Sequence, residues 1–239
     1  MSRGLWQLLL TCEHGGHRIP AAYQGYFQKA DATLESHRGW DPGALELARL
    51  CKRELKAPLI ESQVSRLLVE LNRSPGHPQL FSEWSQVLPA AEREAVLQRF
   101  YLPYREQVHR SIEERVRSGG KVLHLSVHSF TPVLNGEVRR AEIGLLYDPQ
   151  RAAERSFCDL WRNAIRSRQP GWRVRRNYPY RGVADGLTTA LRKKFSASCY
   201  AGIELEVNQA WPLGDRRVWR GVQQVICDSI RETLAQFAD

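Results

Sequence analysis

The feature that most limits what this chain can fold into is an apolar run, Leu5 to Leu10, that breaks off into Thr11-Cys12-Glu13-His14-Gly15-Gly16-His17. A short apolar run of this kind reads as a buried strand. In an open α/β sheet the carboxyl ends of neighbouring strands share one crevice, and ligands bind there. A strand that stops in acid, imidazole and two glycines therefore delivers ionisable side chains into a cleft. Carboxylate beside imidazole suits metal binding or proton transfer.

Strand-like and helix-like stretches alternate along the rest of the chain. Leu5 to Thr11 is the first strand, and Asp41-Pro42-Gly43-Ala44 starts a helix to about Lys56, with Asp41 as N-cap. Pro58 to Glu61 and Leu67 to Leu71 read as short strands, and Pro89 to Arg117 as a long helical stretch bent at Pro103. Lys121 to Val127, Glu142 to Tyr147 and Gly202 to Val207 are further strands. Gln150 to Arg168, Gly182 to Phe195 and Asp215 to Phe237 read as helices. Strand-then-helix alternation predicts an α/β sheet layered by helices, and with no repeat or linker it predicts one domain over residues 1–239.

Composition excludes several classes. A hydrophobic fraction of 42%, with seven Trp and seven Phe, is enough for a core and argues against global disorder. No apolar run approaches the roughly 18 residues of a membrane span, and the first run is too short for a signal peptide. Five scattered cysteines without paired spacing point to a reducing cytoplasm, with most of them buried as small hydrophobes. The formal charge of +9 is carried by widely spread Arg, which reads as a solvated basic surface rather than a nucleic-acid footprint. Such a field also steers a small anionic substrate.

Three strands end in chemistry-bearing residues: Glu13-His14, His128-Ser129, and the pair Glu204 and Glu206. Two histidines and a carboxylate from separate strand ends make an open zinc site, and a further carboxylate takes a proton from water there. Segment Ser65 to Ser74 adds Arg66 at its head and Asn72-Arg73 at its end. A guanidinium fork clamps a carboxylate or polarises a carbonyl, and the competing reading is a surface Arg closing a turn.

Eight segments in order, over roughly residues 7–210, make the chain resemble the N-formylglutamate amidohydrolase family. They are Cys12-Glu13-His14-Gly15-Gly16 with Ile19-Pro20, His37-Arg38-Gly39-Trp40-Asp41-Pro42-Gly43-Ala44, and Ser65-Arg66 through Asn72-Arg73. Leu102-Pro103-Tyr104, His128-Ser129-Phe130-Thr131-Pro132, Gly144-Leu145-Leu146-Tyr147, Asn177-Tyr178-Pro179-Tyr180 and Ile203 to Gln209 follow.

The resemblance implies a metal-dependent amidase with one zinc ion. It also implies a fold similar to the zinc carboxypeptidases, a mixed eight-stranded sheet sandwiched between helices. By the same likeness His128 is a zinc ligand, and Asn72 and Arg73 hold the substrate carboxylate, helped by Arg66 or Arg139. His17 stands where carboxypeptidases place a carboxylate ligand, so the expected metal set is His14, His128 and Asp41, with His17 or Glu13 as alternatives for the third position. His37 is expected nearby as a support or proton donor. Glu204 and Glu206 share one face of their strand, and Glu206 is preferred as the general base. The expected activity is hydrolysis of a small anionic N-acyl amino acid, N-formyl-L-glutamate first, to formate and glutamate. Alternatives are the same chemistry on another acylated amino acid or a small peptide, and a non-enzymatic basic domain associated with nucleic acid. A thiol hydrolase built on Cys12 and His14 is disfavoured, because no oxyanion motif accompanies Cys12.

Overall fold

The computed structural model describes residues 6–237. In chain order the strands are β1 (Trp6–Cys12), β2 (Leu59–Glu61), β3 (Lys121–Phe130), β4 (Val133–Leu134), β5 (Glu137–Val138), β6 (Ile143–Leu146), β7 (Val174–Arg176) and β8 (Tyr200–Asn208). The α-helices are α1 (Asp31–Glu35), α2 (Ala44–Leu55), α3 (Ala90–Val96), α4 (Leu102–Arg117), α5 (Ala152–Arg168), α6 (Leu187–Arg192) and α7 (Arg216–Phe237). Six strands form one sheet in the order β2-β1-β3-β8-β6-β7. From β2 to β8 the pairing is parallel, β6 lies antiparallel to β8, and β7 runs parallel to β6. The single eight-stranded sheet implied by the resemblance does not form: among the described residues the sheet has six strands, and β4 and β5 pair only with each other, as a separate hairpin.

Side-chain alternation along the strands decides what each face does. In β3, Leu123, Leu125 and Val127 point into a core shared with Ala201, Ile203 and Leu205 of β8, under α2, α5 and α7. Trp161 of α5 is fully buried there, and its indole N–H donates to Ser229 Oγ of α7 at 2.9 Å. An aromatic of this size dominates the apolar area it helps to bury and still satisfies its polar tip. The second core holds Leu9, Val122 and Tyr200 against α4, α6 and the segment 64–88. Toward the carboxyl ends of the strands that second face turns polar: His124, Ser126 and His128 alternate with the apolar trio, and all three are buried.

Several expected elements shift, each for a local reason. The first residue of the Leu5–Thr11 strand lies outside the described residues. Strand β3 runs past Val127 to Phe130, so His128 and Ser129 sit within it. Leu67–Leu71 forms turns, not a strand. Ser65 starts them: its Oγ accepts the Leu67 N–H at 3.2 Å and donates to the Gly39 carbonyl at 2.9 Å, competing with extended pairing. The helix expected over 182–195 contracts to α6, because Asn177 Oδ1 accepts the Gly182 N–H at 3.0 Å and holds that end in a loop. The long helical stretch is α3 and α4 joined by a π-helical turn, Leu97–Tyr101, just before Pro103. Proline lacks the N–H an α-helix needs at that point, and a π turn absorbs the misfit. Asp41 is not the N-cap of α2; Gly43, at φ +80°, takes that place.

Candidate active site

Backbone contacts set the site before any side chain does. The Asp41 N–H donates to the His14 carbonyl at 2.9 Å, and the Asp41 carbonyl accepts the Ala44 N–H at 3.1 Å. This leaves the Asp41 carboxylate free to turn toward the sheet. The turn closes at Gly43, where a Cβ would lie 2.4 Å from the Pro212 Cβ, so only glycine fits both the space and the positive φ. In the β3–β8 register His128 stands opposite Glu206 and Ser126 opposite Glu204.

Two imidazoles converge on one carboxylate oxygen. His14 Nδ1 lies 3.3 Å and His128 Nδ1 2.9 Å from Asp41 Oδ2. Ligand atoms of the three residues lie within 4.8 Å of one another. The outer nitrogens are each held by a second carboxylate: His14 Nε2 by Glu70, and His128 Nε2 by Glu13 at 3.0 Å. His14 is 2%, Asp41 3% and His128 3% exposed, so water does little to screen these contacts.

Burial should raise the three carboxyls, but their partners win. Glu13 is drawn well below the ordinary range by His128, Ser126 and Thr11; Asp41 by His14 and His128; Glu70 by Arg66 and His14. Burial and the Arg66 charge pull His14 down, yet Glu70 and Asp41 carry it above its usual value. Burial also opposes protonation of His128, but Asp41 and Glu13 lift it far higher. Arg66 is held more firmly charged despite burial, because its Nε donates to Glu70 at 2.7 Å and its Nη1 approaches Asp41 Oδ1 at 3.3 Å. Three carboxylates against one guanidinium leave two negative charges in a buried cluster. Two imidazolium protons supply the balance, and so does one divalent cation. Two imidazole nitrogens and a carboxylate oxygen, with both imidazoles anchored at their far nitrogens, form a donor set that could hold a metal ion.

The cluster lies at the wall of a cavity of about 650 Å³ that also exposes Glu204, Glu206 and Arg73. Glu206 is buried, and its Oε2 has no hydrogen-bond partner. Burial pushes its carboxyl up to about 8, with Asp41 and Glu204 adding to the rise and His128 and Arg66 opposing it. Glu204 is engaged: its Oε1 accepts the Thr188 hydroxyl at 2.6 Å. Arg73 spends one Nη1–H on the Asp185 carbonyl at 2.6 Å.

Of the other expected site residues, Asn72, Arg66 and His37 line the cavity and His17 and Arg139 do not. Asn72 is a brace: its N–H donates to Glu70 at 3.0 Å, and its Oδ1 accepts the Leu187 N–H at 2.7 Å. Arg66 lines the cavity while its Nε and Nη2 reach Glu70 and its Nη1 reaches Asp41. Arg139 stacks on the cavity residue Tyr180, 5.0 Å from the ring centre. His17 is exposed and packs on Trp40, apart from the cluster. His37 does line the cavity, with burial and Arg66 holding its imidazole low.

Residues 6–211 match the N-formylglutamate amidohydrolase family. The chain belongs to that family. Its fold is similar to that of a gene product from Agrobacterium tumefaciens, at 29% identity and a TM-score of 0.83, covering 98% of this chain and 92% of the other. It is also similar in fold to the N-formylglutamate amidohydrolase of Ralstonia eutropha JMP134, at 18% identity and a TM-score of 0.71, covering 98% and 94%. No curated protein matches the chain.

Sequence reasoning missed Glu70 and gave Tyr104 no role. The Tyr104 hydroxyl donates to Glu13 at 2.8 Å, which makes it part of the support of His128. For Glu70 the available signal was its place four residues after Arg66, the pair the structure joins as a salt bridge.

Proposed function

We propose that this chain is a divalent-metal-dependent amidohydrolase that cleaves the amide of a small anionic N-acyl amino acid, with N-formyl-L-glutamate, giving formate and glutamate, as the first candidate. The observation that carries the reading is the convergence of His14 Nδ1, His128 Nδ1 and Asp41 Oδ2 beside the unpartnered carboxyl of Glu206. A zinc ion held by His14, Asp41 and His128 would polarise the acyl oxygen, acidify a water and favour the ionised form of Glu206.

The remaining work falls to this chain's own side chains. Glu206 takes a proton from the attacking water as the oxygen–carbon bond forms. It returns that proton to the nitrogen as the carbon–nitrogen bond breaks, so one carboxyl serves as base and then as acid. Arg73 turns its uncommitted N–H groups to the substrate carboxylate, a geometry in which a guanidinium binds in two places at once. Asp185, through its carbonyl, and Asn72, through the start of α6, keep that arm in place. Low imidazole basicity at His37 leaves a neutral ring on the cavity wall, suited to hydrogen bonding rather than to charge pairing.

A related reading keeps the chemistry and enlarges the substrate. The cavity volume of about 650 Å³ lies within the roughly 300–1,000 Å³ that drug-sized ligands occupy, so longer acyl groups or a short peptide fit. Metal analysis of the purified protein, followed by a panel of N-acyl amino acids with and without chelator, tests both. His128→Ala is expected to lose metal and turnover together; a variant that kept its metal and its rate would sink the proposal.

A further inference from the structure

The second face of the sheet carries a line of buried polar groups that reaches well beyond the proposed site. Glu13 is fully buried and was an alternative metal ligand on sequence grounds, yet its oxygens are already taken. Oε1 accepts the Tyr104 hydroxyl at 2.8 Å. Oε2 accepts the Ser126 hydroxyl at 2.5 Å and lies 3.0 Å from His128 Nε2, and the Thr11 hydroxyl is also turned to this carboxylate. Behind it stands His124, whose Nε2 is 2.8 Å from Thr11 Oγ1 and whose Nδ1 is 2.8 Å from the Tyr200 hydroxyl. Thr11 and His124 are 0% exposed, as is Tyr200.

The direction of this string follows from counting protons. Burial holds His124 down to about 4, so the ring is neutral and has one donor and one acceptor nitrogen. Burial also keeps the Tyr200 phenol protonated, and His124 Nδ1 is its partner among the described residues. If Nδ1 carried the hydrogen, the Tyr200 hydroxyl would be left with a buried proton and no acceptor, a costly arrangement. Tyr200 therefore donates to Nδ1, Nε2–H donates to Thr11, and the Thr11 hydrogen is left for the Glu13 carboxylate or for the Tyr104 oxygen bound to it. The Ser126 hydrogen is likewise spent on Glu13, so its oxygen, 2.8 Å from His128 Nε2, acts there only as an acceptor. Both groups facing His128 Nε2 are acceptors, which requires a hydrogen on that nitrogen.

We propose that Glu13 is a positioning residue for His128, held by the one-way string Tyr200–His124–Thr11 together with Tyr104 and Ser126, so that the His128 ring keeps its hydrogen on Nε2 and turns the Nδ1 lone pair toward Asp41. That the turned lone pair serves a metal rests on the function proposed above; the orientation of the ring does not. The arm on His14 differs, because Glu70 shares its charge with Arg66. Glu13 receives only neutral hydroxyls besides His128, and so polarises its imidazole more fully.

Two readouts separate this idea from the metal reading. In metal-free protein at a pH where His128 is neutral, ring 15N spectra should show hydrogen on Nε2, and Glu13→Gln should yield mixed tautomers. In the same folded variant the affinity for Co2+ should fall by about 10- to 100-fold, with a shifted visible spectrum, as for lost carboxylate support of a ligand. Thr11→Val and Tyr200→Phe cut the string without replacing Glu13 and should give smaller changes in the same direction; they carry the test if Glu13→Gln does not fold. Wild-type protein that ignores Co2+, with the ring change still seen on going to Glu13→Gln, would overturn the metal reading and leave the positioning role standing. Unchanged ring spectra and unchanged Co2+ affinity in the folded variants would overturn the positioning role.

Discussion

Binding of a divalent cation to this cluster should expel at least two protons, one from each imidazole and a further one to the extent that the cation ionises Glu206, and the number follows from the buried charges. Glu13, Asp41 and Glu70 are all held ionised, Arg66 offsets one of them, and the metal-free protein makes up the rest with protons on His14 and His128, both of which sit above their ordinary value. A cation that takes both Nδ1 lone pairs must displace both protons. At pH 6, below either imidazole, the affinity should rise at least about 100-fold per pH unit, or about 2.7 kcal/mol from the two imidazole protons at 1.36 kcal/mol each. Fold stability should follow pH differently in the two forms. Raised imidazoles stabilise metal-free protein fully below their unfolded value near 6.5, and that contribution disappears as pH climbs through the folded values. The lowered carboxyls add stability that is present above their unfolded values near 4 and is lost on acidification. Metal-free protein is therefore most stable between roughly pH 5 and 6.5, while metal-loaded protein gains over that same interval. Titration calorimetry with zinc at pH 6, repeated in buffers of different ionisation enthalpy, counts the protons directly. Release of less than half a proton per ion, or an affinity flat from pH 5 to 6.5, would refute the charge argument.

Three further outcomes are expected. Glu206→Gln should keep its metal but lose roughly 10²-fold or more in kcat, as for a removed general base, measured by formate release. Gly144→Ala should cost about 1–3 kcal/mol or abolish folding, read by urea denaturation, because its Cβ would stand 1.8 Å from the Tyr178 carbonyl oxygen. Thr188→Val removes the hydroxyl on Glu204 and should cost about 1–3 kcal/mol of stability while leaving metal content unchanged in elemental analysis.

The parts of the molecule that follow a period were legible in the sequence. Strand β1 and the ends of β3 and β8 announced themselves as apolar runs broken by acid and imidazole, and the three residues ranked as ligands are the three whose donor atoms converge. What stayed hidden depends on chain geometry rather than pattern. Asp41 looked like a helix cap because Asp-Pro is a common opening, but the αL turn at Gly43 frees its carboxylate for the imidazoles. Glu70 sat inside what read as a strand, and the Ser65 turn is what bends it back onto His14. The Asn135-Gly136 pair, both at positive φ, closes the β4–β5 hairpin, and a sequence signal for that turn was present but unused. His124 and Ser126 were read as mere members of a buried strand, although their alternation with Leu123, Leu125 and Val127 marks a second, polar face.

The place of β8 in the sheet bears on the order of events as the chain leaves the ribosome. This last strand lies between β3 and β6, so every earlier strand is synthesised before the piece that joins them exists. Until Tyr200–Asn208 emerges, β2-β1-β3 and β6-β7 are two separate fragments, each with an unpaired inner edge and apolar surface awaiting Ile203 and Leu205. Closure spans more than seventy residues from β3 to β8 and pays its loop entropy before any contact repays it. The step that completes the sheet also delivers Glu206 opposite His128. A nascent chain can therefore gather His14, Asp41 and His128 early, but Glu206 joins them only when the sheet is whole.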